Sequence, residues 1–168
     1  LMQCRWGTHG DHPIITLSPS SVEETYTLIM EAFTLAERYR TPVIFLMDEM
    51  IGHLRAGVAL PELPEPPRLN SECYKTAPYC TEPGEYVPHM PPIGYGQRYN
   101  ITGLVHDESG FPTNSNAECE RLLTRLNDKI EKNLDDICCS EEYLTEDADV
   151  IIACFGGAAM AVHAAVDM

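Results

Sequence analysis

Apolar and polar residues in the N-terminal part of the chain follow a pattern typical of strand, helix and strand. Residues 13–17, Pro-Ile-Ile-Thr-Leu, form a short apolar run that predicts a strand. From residue 20 onward apolar side chains recur at steps of three and four, which predicts a helix that ends before Pro42. Residues 43–47 form a continuous apolar run typical of a parallel sheet. This order predicts a βαβ unit and places the chain in the α/β class.

The predicted helix carries a start signal and is apolar on two sides. Ser20 and Ser21 are each followed three residues later by a glutamate, which is the capping-box pattern. A helix that is apolar on two sides is expected to lie between other elements. One side carries Val22, Tyr26, Ile29, Phe33 and Ala36, and the other carries Leu28, Ala32 and Leu35.

The middle of the chain is rich in proline. Nine of the 13 prolines lie between Pro61 and Pro92. Proline lacks the amide donor and restricts the residue before it, so helix and central strand are not expected here. Four large side chains give this segment something to bury: Tyr74, Tyr79, Tyr86 and Met90. We therefore expect an extended connection that lies against another domain or chain.

The C-terminal part predicts two more strands and two helices. Residues 101–105 are a strand candidate, and residues 150–155 are a longer apolar run followed by Gly156-Gly157 and an Ala-rich segment. Because the whole apolar stretch from residue 150 to 166 is short for a membrane span, strand, turn and helix are favoured over a membrane helix. An amphipathic helix is predicted from five apolar residues, Leu122, Leu126, Ile130, Leu134 and Ile137, with Arg121, Arg125, Lys129 and Lys132 on its other faces.

The charge balance restricts the possible partners. Eleven basic and 26 acidic residues give a formal net charge of −15. Such a field repels phosphate backbones, so neither nucleic acid nor an anionic membrane is an expected partner. Between residues 115 and 149, 11 acids and four bases account for −7 of this charge. The favoured reading is a solvated helix face with an acidic loop, and the alternative is a docking patch for a basic partner.

The seven cysteines indicate a reducing compartment. Their number is odd, no CxxC motif occurs, and Cys138 and Cys139 are adjacent, which is poor geometry for pairing with each other. We therefore expect a cytoplasmic protein. Cys119 and Cys154 lie in apolar-patterned segments and are expected to be small buried side chains. The ligand spacing for structural zinc or an iron–sulfur cluster is missing.

Two polar clusters are candidates for chemistry. His9 and His12 flank Asp11 in a glycine-rich stretch, a composition that suits a metal site or an acid/base relay. The favoured reading is a loop in which Asp11 caps a turn, because no third ligand is placed. Asp48 and Glu49 follow the second predicted strand, where α/β proteins bind ligands, and the residues just after them are His53 and Arg55. For this cluster a ligand site and ordinary solvation of the strand end stay equally open.

Two further motifs indicate little chemistry by themselves. His106-Asp107 within residues 105–110 is expected to make local hydrogen bonds in a polar turn, not to form a catalytic dyad. Gly156-Gly157 lacks the full GxGxxG pattern, so it does not predict a nucleotide site. From these residues alone, no nucleophile, base and orienting group can be placed together.

The order of segments resembles a known family. Matching segments occur along nearly the whole chain, most loosely in residues 59–99. The segments are residues 5–12, 17–22, 31–43, 47–53, 101–110 and 147–150. They are similar to the α subunit of 2-oxoacid:ferredoxin oxidoreductases, and most similar to its 2-oxoglutarate branch.

The resemblance implies an enzyme that uses thiamine diphosphate. Such an enzyme converts a 2-oxoacid and coenzyme A to an acyl-CoA and CO₂, and it passes electrons to ferredoxin. The β subunit is the implied partner and would carry most of the cofactor site, including Mg²⁺ and a [4Fe–4S] cluster. This chain alone is expected to bind none of these groups and to be inactive.

The resemblance also implies a domain organisation. Residues 1–57 would be the second half of a pyrimidine-binding α/β domain, and residues 58–115 a proline-rich connection. Residues 116–168 would hold an amphipathic helix and the start of a domain like the transketolase C-terminal one. His9, Asp11 and His12 match a family motif, and together with the Asp48 cluster they are assigned to the active-site wall or the subunit interface.

Departures from the family pattern limit this assignment. The glutamate that activates thiamine and the threonine and arginine motifs that hold the 2-oxoacid lie upstream of the matched region. No catalytic residue is therefore expected in this chain, which is interpreted as an internal fragment. The family's glycine-serine-threonine turn is replaced here by Gly156-Gly157-Ala158-Ala159. The rival hypotheses are a free-standing acidic interaction module without catalysis and, less favoured, a small metalloenzyme using His9, His12 and an acidic residue.

Overall fold

The chain divides into two compact units that interleave along the sequence. The computed structural model describes residues 2–7, 12–62 and 77–168. Unit 1 comprises Leu1–Pro13, Arg38–Arg40 and Pro67–Asp136, and unit 2 comprises Ile14–Glu37, Thr41–Pro66 and Ile137–Met168. The three domains expected from the family resemblance follow other boundaries and stay a prediction.

Unit 2 contains the predicted strand, helix and strand. β1 (Ile15–Leu17) and β2 (Val43–Phe45) are parallel, and Ile15 is opposite Val43. The helix α2 (Val22–Tyr39) connects them, and its last residues belong to unit 1. The βαβ prediction and the mixed α/β class are confirmed.

The start of α2 is fixed by the serine and glutamate side chains that the sequence indicated. Ser21 Oγ accepts a hydrogen bond from the Glu24 amide at 3.1 Å. The Glu24 carboxylate accepts in return from the amide and the hydroxyl of Ser20, at 2.7 and 2.6 Å. These bonds satisfy amides that the first helical turn leaves without partners. At the other end Arg40 has φ +47°, and this left-handed residue precedes Pro42.

Only one of the two apolar sides of α2 is buried in the core. Leu35 is fully buried and Ala32 is 7% exposed, whereas Phe33 on the other side is 67% exposed. Within the described ranges, no other element covers the Phe33 ring well. The core of unit 2 is therefore one-sided, and it includes Ile15, Leu17, Ala32, Leu35 and Ile51.

The remaining described helices are short apart from one. α1 (Met2–Trp6) and α3 (Glu49–His53) are single turns, and α6 (Ala158–Val166) is the Ala-rich helix expected after the glycine pair. The amphipathic helix expected through residue 137 is divided into α4 (Asn116–Glu131) and α5 (Leu134–Ile137). A Ser115 side chain caps α4 by accepting from the Glu118 amide.

Two strand predictions are wrong. Residues 101–105 contain bends and no strand, and residues 150–155, called the apolar run below, begin with a bend and pair with no strand in the described part of the chain. Both segments had suitable residues, but a strand also requires a neighbour for its amides and carbonyls. Cys154 within the apolar run is exposed, contrary to expectation, and Cys119 is half-buried. No described helix has the length and apolar content needed to cross a membrane.

The described part of the proline-rich segment, from residue 77, is built of turns and lies in unit 1 with α4. The Tyr79 carbonyl accepts a hydrogen bond from Arg125 Nη1 on α4 at 2.8 Å. The Tyr86 ring lies 5.4 Å from the Lys132 ammonium. This segment therefore packs against the basic side of a helix in the same chain.

Candidate functional site

The carboxyl ends of the two parallel strands meet at one edge of the sheet. Ser18 follows β1, and Asp48 follows β2 after two further residues. The strand pairing continues past β2, because the Leu46 amide donates to the Leu17 carbonyl at 2.8 Å. In parallel sheets this edge is where ligands bind, and it is where the sequence placed its second cluster.

Asp48 connects this edge to the start of α6. Its backbone is extended at the N-cap of α3, but its side chain makes no capping bond to that helix. Instead its carboxylate accepts a short hydrogen bond from the Gly157 amide, at 2.5 Å. Gly157 is the N-cap of α6 and has no side chain to cap the helix itself. The carboxylate of Asp48 therefore supplies the anion that the positive end of the α6 dipole favours.

Gly156 is required at this contact for two reasons. It has φ +64°, a conformation that side chains with a Cβ rarely adopt. A Cβ built on it would also lie 2.8 Å from Asp48 Oδ2 and 3.2 Å from Ser18 Oγ. Glycine thus allows the turn to approach both strand ends closely.

The glycine pair is the part of the site that sequence reasoning missed. By itself the pair predicts no site, because it lacks the full nucleotide-binding pattern. The signal that identifies its role is its position, between an apolar run and an Ala-rich helix, together with an aspartate soon after a predicted buried strand. Only the fold brings residues 109 positions apart into one hydrogen bond.

The other three predicted residues of the second cluster are exposed on or after α3. The Glu49 and His53 side chains are 91% and 81% exposed, and Glu49 Oε1 lies 3.8 Å from His53 Nε2. Arg55 is exposed beyond the end of the helix. Of these four residues, only Asp48 is brought to the glycine turn. The exposed pair presents a polar surface that is available to a partner.

The first predicted cluster is only partly described. His12 lies at a half-buried bend before β1, in unit 1. His9 and Asp11 lie outside the described residues, so their proposed relation to His12 stays a prediction. In the described ranges, no three histidine, cysteine or carboxylate side chains are grouped so as to hold a metal ion.

Unit 1 contains a second polar assembly around Tyr79. Its ring stacks on His106 with centroids 5.5 Å apart, and its hydroxyl donates to the Asn100 carbonyl at 2.7 Å. His106 Nε2 lies 3.2 Å from the Thr102 hydroxyl. Asp107 accepts from the Ser109 hydroxyl and from the amides of Ser109 and Phe111, and these bonds lower the pKa of its carboxyl. The local turn expected at His106-Asp107 is therefore confirmed.

Part of the basic side of α4 is buried. Lys129 is only 5% exposed, and burial, with the nearby Arg125 charge, lowers the pKa of its ammonium to about 8. Burial likewise lowers the pKa of Arg125, whose Nε is buried without an acceptor in the described part of the chain. Arg121, in contrast, pairs with Glu108 and Glu118 at 3.0 and 2.6 Å. The expectation that these bases occupy a separate polar face holds for Arg121 and Lys132 but not for Lys129.

Comparisons with known proteins place the chain in a family. The sequence profile described as "Pyruvate flavodoxin/ferredoxin oxidoreductase, thiamine diP-bdg" matches residues 1–124. The chain is similar to "2-oxoglutarate synthase subunit KorA" of Methanothermobacter marburgensis, with 42% identity over all of this chain and 46% of the relative. The protein of that name from Methanocaldococcus jannaschii is 41% identical over 99% of this chain and 45% of its own length.

A more distant similarity is to "Ketoisovalerate oxidoreductase subunit VorB" of Methanothermobacter thermautotrophicus, 30% identical over 96% of this chain and 39% of the relative. The chain spans about half the length of the curated relatives it matches. The family expected from the sequence is confirmed. The chain belongs to the pyruvate flavodoxin/ferredoxin oxidoreductase family, and its residues 1–124 match the family's thiamine diphosphate-binding domain.

Proposed function

We propose that this chain is part of the α subunit of a cytoplasmic 2-oxoacid:ferredoxin oxidoreductase whose substrate is 2-oxoglutarate. The complete enzyme would decarboxylate the 2-oxoacid, transfer the acyl group to coenzyme A, release CO₂ and reduce ferredoxin. The observation that carries the proposal is the 42% identity to a 2-oxoglutarate synthase subunit along the entire chain.

The choice of 2-oxoglutarate rests on a difference between relatives. Identity is 41–43% to four subunits of 2-oxoglutarate synthases and 30% to two subunits of ketoisovalerate oxidoreductases. Two subunits of enzymes named only for 2-oxoacids are 27% and 26% identical. This gradient supports a substrate with a second carboxylate over a branched apolar one.

The residues at the strand edge do not fit the diphosphate of the cofactor. A diphosphate is bound by cations, a metal ion or free amides at a helix N-terminus. Here the Gly157 amide is taken by Asp48, and the neighbouring Glu49 adds a second negative charge. This misfit agrees with what the family resemblance implies, namely that the diphosphate, Mg²⁺ and the [4Fe–4S] cluster lie mainly on the β subunit and that the chain alone would bind no thiamine diphosphate.

The proposal includes the domain and residue assignments that the family resemblance implies. Residues 1–57 would complete a pyrimidine-binding domain, residues 58–115 would connect it, and residues 116–168 would begin a transketolase C-terminal-like domain. The polar residues of both clusters would line the active-site wall or the subunit interface. They are His9, Asp11, His12, Asp48, Glu49, His53 and Arg55. The exposure of Glu49 and His53 supports a role at a surface that the β subunit covers.

The test uses the complete α subunit, produced together with its β partner. Reduction of ferredoxin should require coenzyme A and should show the highest kcat/KM with 2-oxoglutarate. Pyruvate and 2-oxoisovalerate are the comparison substrates. Equal or greater efficiency with 2-oxoisovalerate would overturn the substrate choice, and inactivity with every 2-oxoacid would overturn the proposed function.

Two single substitutions distinguish the two roles proposed for the polar residues, namely the active-site wall and the subunit interface. His53→Ala should weaken association of α with β, measured by analytical ultracentrifugation, while saturating β restores kcat. Glu131→Ala, a change at an exposed residue of α4, is the comparison variant and should leave association unchanged. If His53→Ala lowers kcat in fully assembled enzyme, the residue belongs to the active-site wall instead.

A further inference from the structure

Lys129 of α4 is a buried cation without a counter-ion in the described part of the chain. Only 5% of the residue is exposed, and no described carboxylate bonds to its ammonium. Among the described groups, the charge that acts on Lys129 is another cation, the guanidinium of Arg125 about one helical turn earlier. Burial of an ionised group without a partner costs several kcal/mol of free energy, so proteins normally pair it.

Arg125 has no ion pair in the described ranges either. Its Nη1 donates to the Tyr79 carbonyl at 2.8 Å, which is a neutral partner, and its Nε is buried without an acceptor. Arg121, one turn earlier on the same helix, instead has two carboxylates at 3.0 and 2.6 Å. Arg125 and Lys129, called the cationic pair below, therefore lack the anion that the neighbouring arginine has.

The charged end of Lys129 is the part of the cationic pair that an anion can reach. Arg125 Nε is completely shielded from solvent. The Lys129 ammonium, which also has no hydrogen bond in the described ranges, retains some contact with solvent. A carboxylate can therefore approach this ammonium directly, and Arg125 adds positive potential from the neighbouring turn.

The charge of the chain opposes a dissolved anion as the occupant. Its net charge of −15 repels small anions and a second copy alike. A carboxylate in the same polypeptide overcomes this repulsion, because tethering gives it a high effective concentration. The chain spans about half the length of its curated relatives, so the proposed α subunit has further polypeptide that can supply one. Polypeptide packed on α4 would bury Lys129 further, and the need for a counter-ion would persist.

We propose that the cationic pair binds a carboxylate side chain from the part of the α subunit outside this chain. The aspartate or glutamate accepts a hydrogen bond from the Lys129 ammonium, and Arg125 stabilises its charge. This ion pair attaches that part of the subunit to α4. The proposal rests on the longer α subunit proposed above, but not on its substrate, because none of its readouts requires catalysis.

A zero-length cross-link identifies the partner. A carbodiimide joins a carboxylate to a contacting lysine amine as an amide, and it takes up the water that is lost as a urea. The complete α subunit, assembled with β, is treated and digested, and mass spectrometry locates the linked residues. Lys132 and Asp128, 2.7 Å apart, are the internal control. Lys129 should be linked to an acid of the α subunit outside residues 1–168.

Three cross-linking results would overturn the proposal. A link from Lys129 to an acid within residues 1–168 would place the counter-ion in this chain. A link to the β subunit would make the cationic pair a subunit contact. A link between Lys132 and Asp128 with none from Lys129 would show that no carboxylate contacts the buried ammonium.

Substitutions in the complete α subunit test the energy of the ion pair. Lys129→Met leaves the carboxylate buried without a partner and should lower the thermal unfolding midpoint by about 3 °C or more. In the chain alone, where that carboxylate is missing, the same substitution should raise the midpoint. Lys132→Met, at an exposed residue of known pairing, is the matched control and should change the midpoint by less than about 1 °C.

A second substitution at the linked acid separates the ion pair from packing effects. Changing this aspartate or glutamate to its amide in the Lys129→Met subunit should restore most of the lost stability, because no buried charge then remains unpaired. A loss that the second substitution does not restore would overturn the proposal. An unchanged or raised midpoint for Lys129→Met in the complete subunit would overturn it as well.

Discussion

Two apolar runs of similar composition have different fates in this protein. Residues 43–47 supply β2, which pairs with β1 in register, whereas residues 150–155 are exposed and pair with no strand in the described part of the chain. The first run is preceded by a helix that returns the chain alongside an earlier strand, and the second has no such neighbour among the described elements. A strand is therefore decided by its partner as much as by its own residues.

A second contrast concerns the burial of charged and apolar side chains. Unit 1 buries Lys129 on α4, while unit 2 exposes isoleucine and valine in the apolar run. In both places the observed burial is the opposite of what the sequence pattern predicts. Burial depends on which other segments of the fold cover a residue. On α4 the Tyr79 carbonyl accepts a hydrogen bond from Arg125, a residue that the charge pattern assigned to a solvated face.

The largest expected effect comes from truncating the same residue type in each region. Ile15→Ala in β1 should lower the free energy of unfolding by about 2–5 kcal/mol, because Ile15 is only 2% exposed. Ile152→Ala in the apolar run should change it by less than about 0.5 kcal/mol. Urea denaturation of both variants measures the difference. A comparable loss at Ile152 would show that the apolar run is buried, and the contrast would fail.

The buried lysine predicts a pH dependence with a defined sign. The pKa of Lys129 falls from 10.5 to about 8 on folding, so the unfolded chain binds more protons between these values and stability rises with pH. The contribution should grow by about 2 kcal/mol from about pH 7.5 to about pH 9.5. Lys129→Met should be more stable than the wild type at neutral pH, by about 3 kcal/mol, and should lose this rise.

Lys132→Met is the matched control for the buried lysine. Lys132 is exposed and pairs with Asp128 at 2.7 Å, and this bond raises the pKa of its ammonium. The control should keep the wild-type rise in stability between the two pH values, measured by urea denaturation. An identical pH profile for wild type and Lys129→Met would show that Lys129 is solvated.

Gly156 offers a smaller and more local comparison. An alanine at position 156 would have a left-handed backbone, and its Cβ would lie 2.8 Å from Asp48 Oδ2. An alanine at position 84 would have a similar backbone, because Gly84 has φ +89°, but its Cβ would meet open space. The backbone cost should be about 1–2 kcal/mol in both variants. The loss beyond that in Gly156→Ala should largely disappear when Asp48→Ala is added, since the clash is then removed. Additive losses in the double variant would argue against the contact.

The smallest expected effect tests the junction at the end of α2. The Tyr39 hydroxyl donates to the Asp136 carboxylate at 2.5 Å, and burial with this bond raises the pKa of Tyr39 to about 12. Tyr39→Phe should lower the free energy of unfolding by about 1 kcal/mol. Tyr99→Phe, which loses a hydroxyl bond to the Pro91 carbonyl, is the comparison variant in the same unit. No loss in Tyr39→Phe would indicate that water replaces the carboxylate as partner.

Local sequence signals predicted the elements that local interactions stabilise. The serine–glutamate cap and the apolar periodicity identified α2, and the run at residues 43–47 identified β2. The strand predictions at residues 101–105 and 150–155 are wrong. Strand pairing is a long-range contact, and the sequence of a single segment does not indicate whether a partner strand is present. Within the candidate site, Asp48 was predicted, whereas Gly156 and Gly157 were not, since their role depends on a contact across 109 residues.

The sequence by itself determined the βαβ unit, the acidic character and the family of this chain, because periodicity, charge and ordered motifs are written along the polymer. Tertiary structure alone decided that Lys129 is buried, that the apolar run is exposed and that Asp48 caps α6. The physical reason is that the burial of a side chain and the pairing of a strand are determined by residues that are neighbours in space. A side chain's free energy depends on what covers it, and the residues that cover it are distant in the chain.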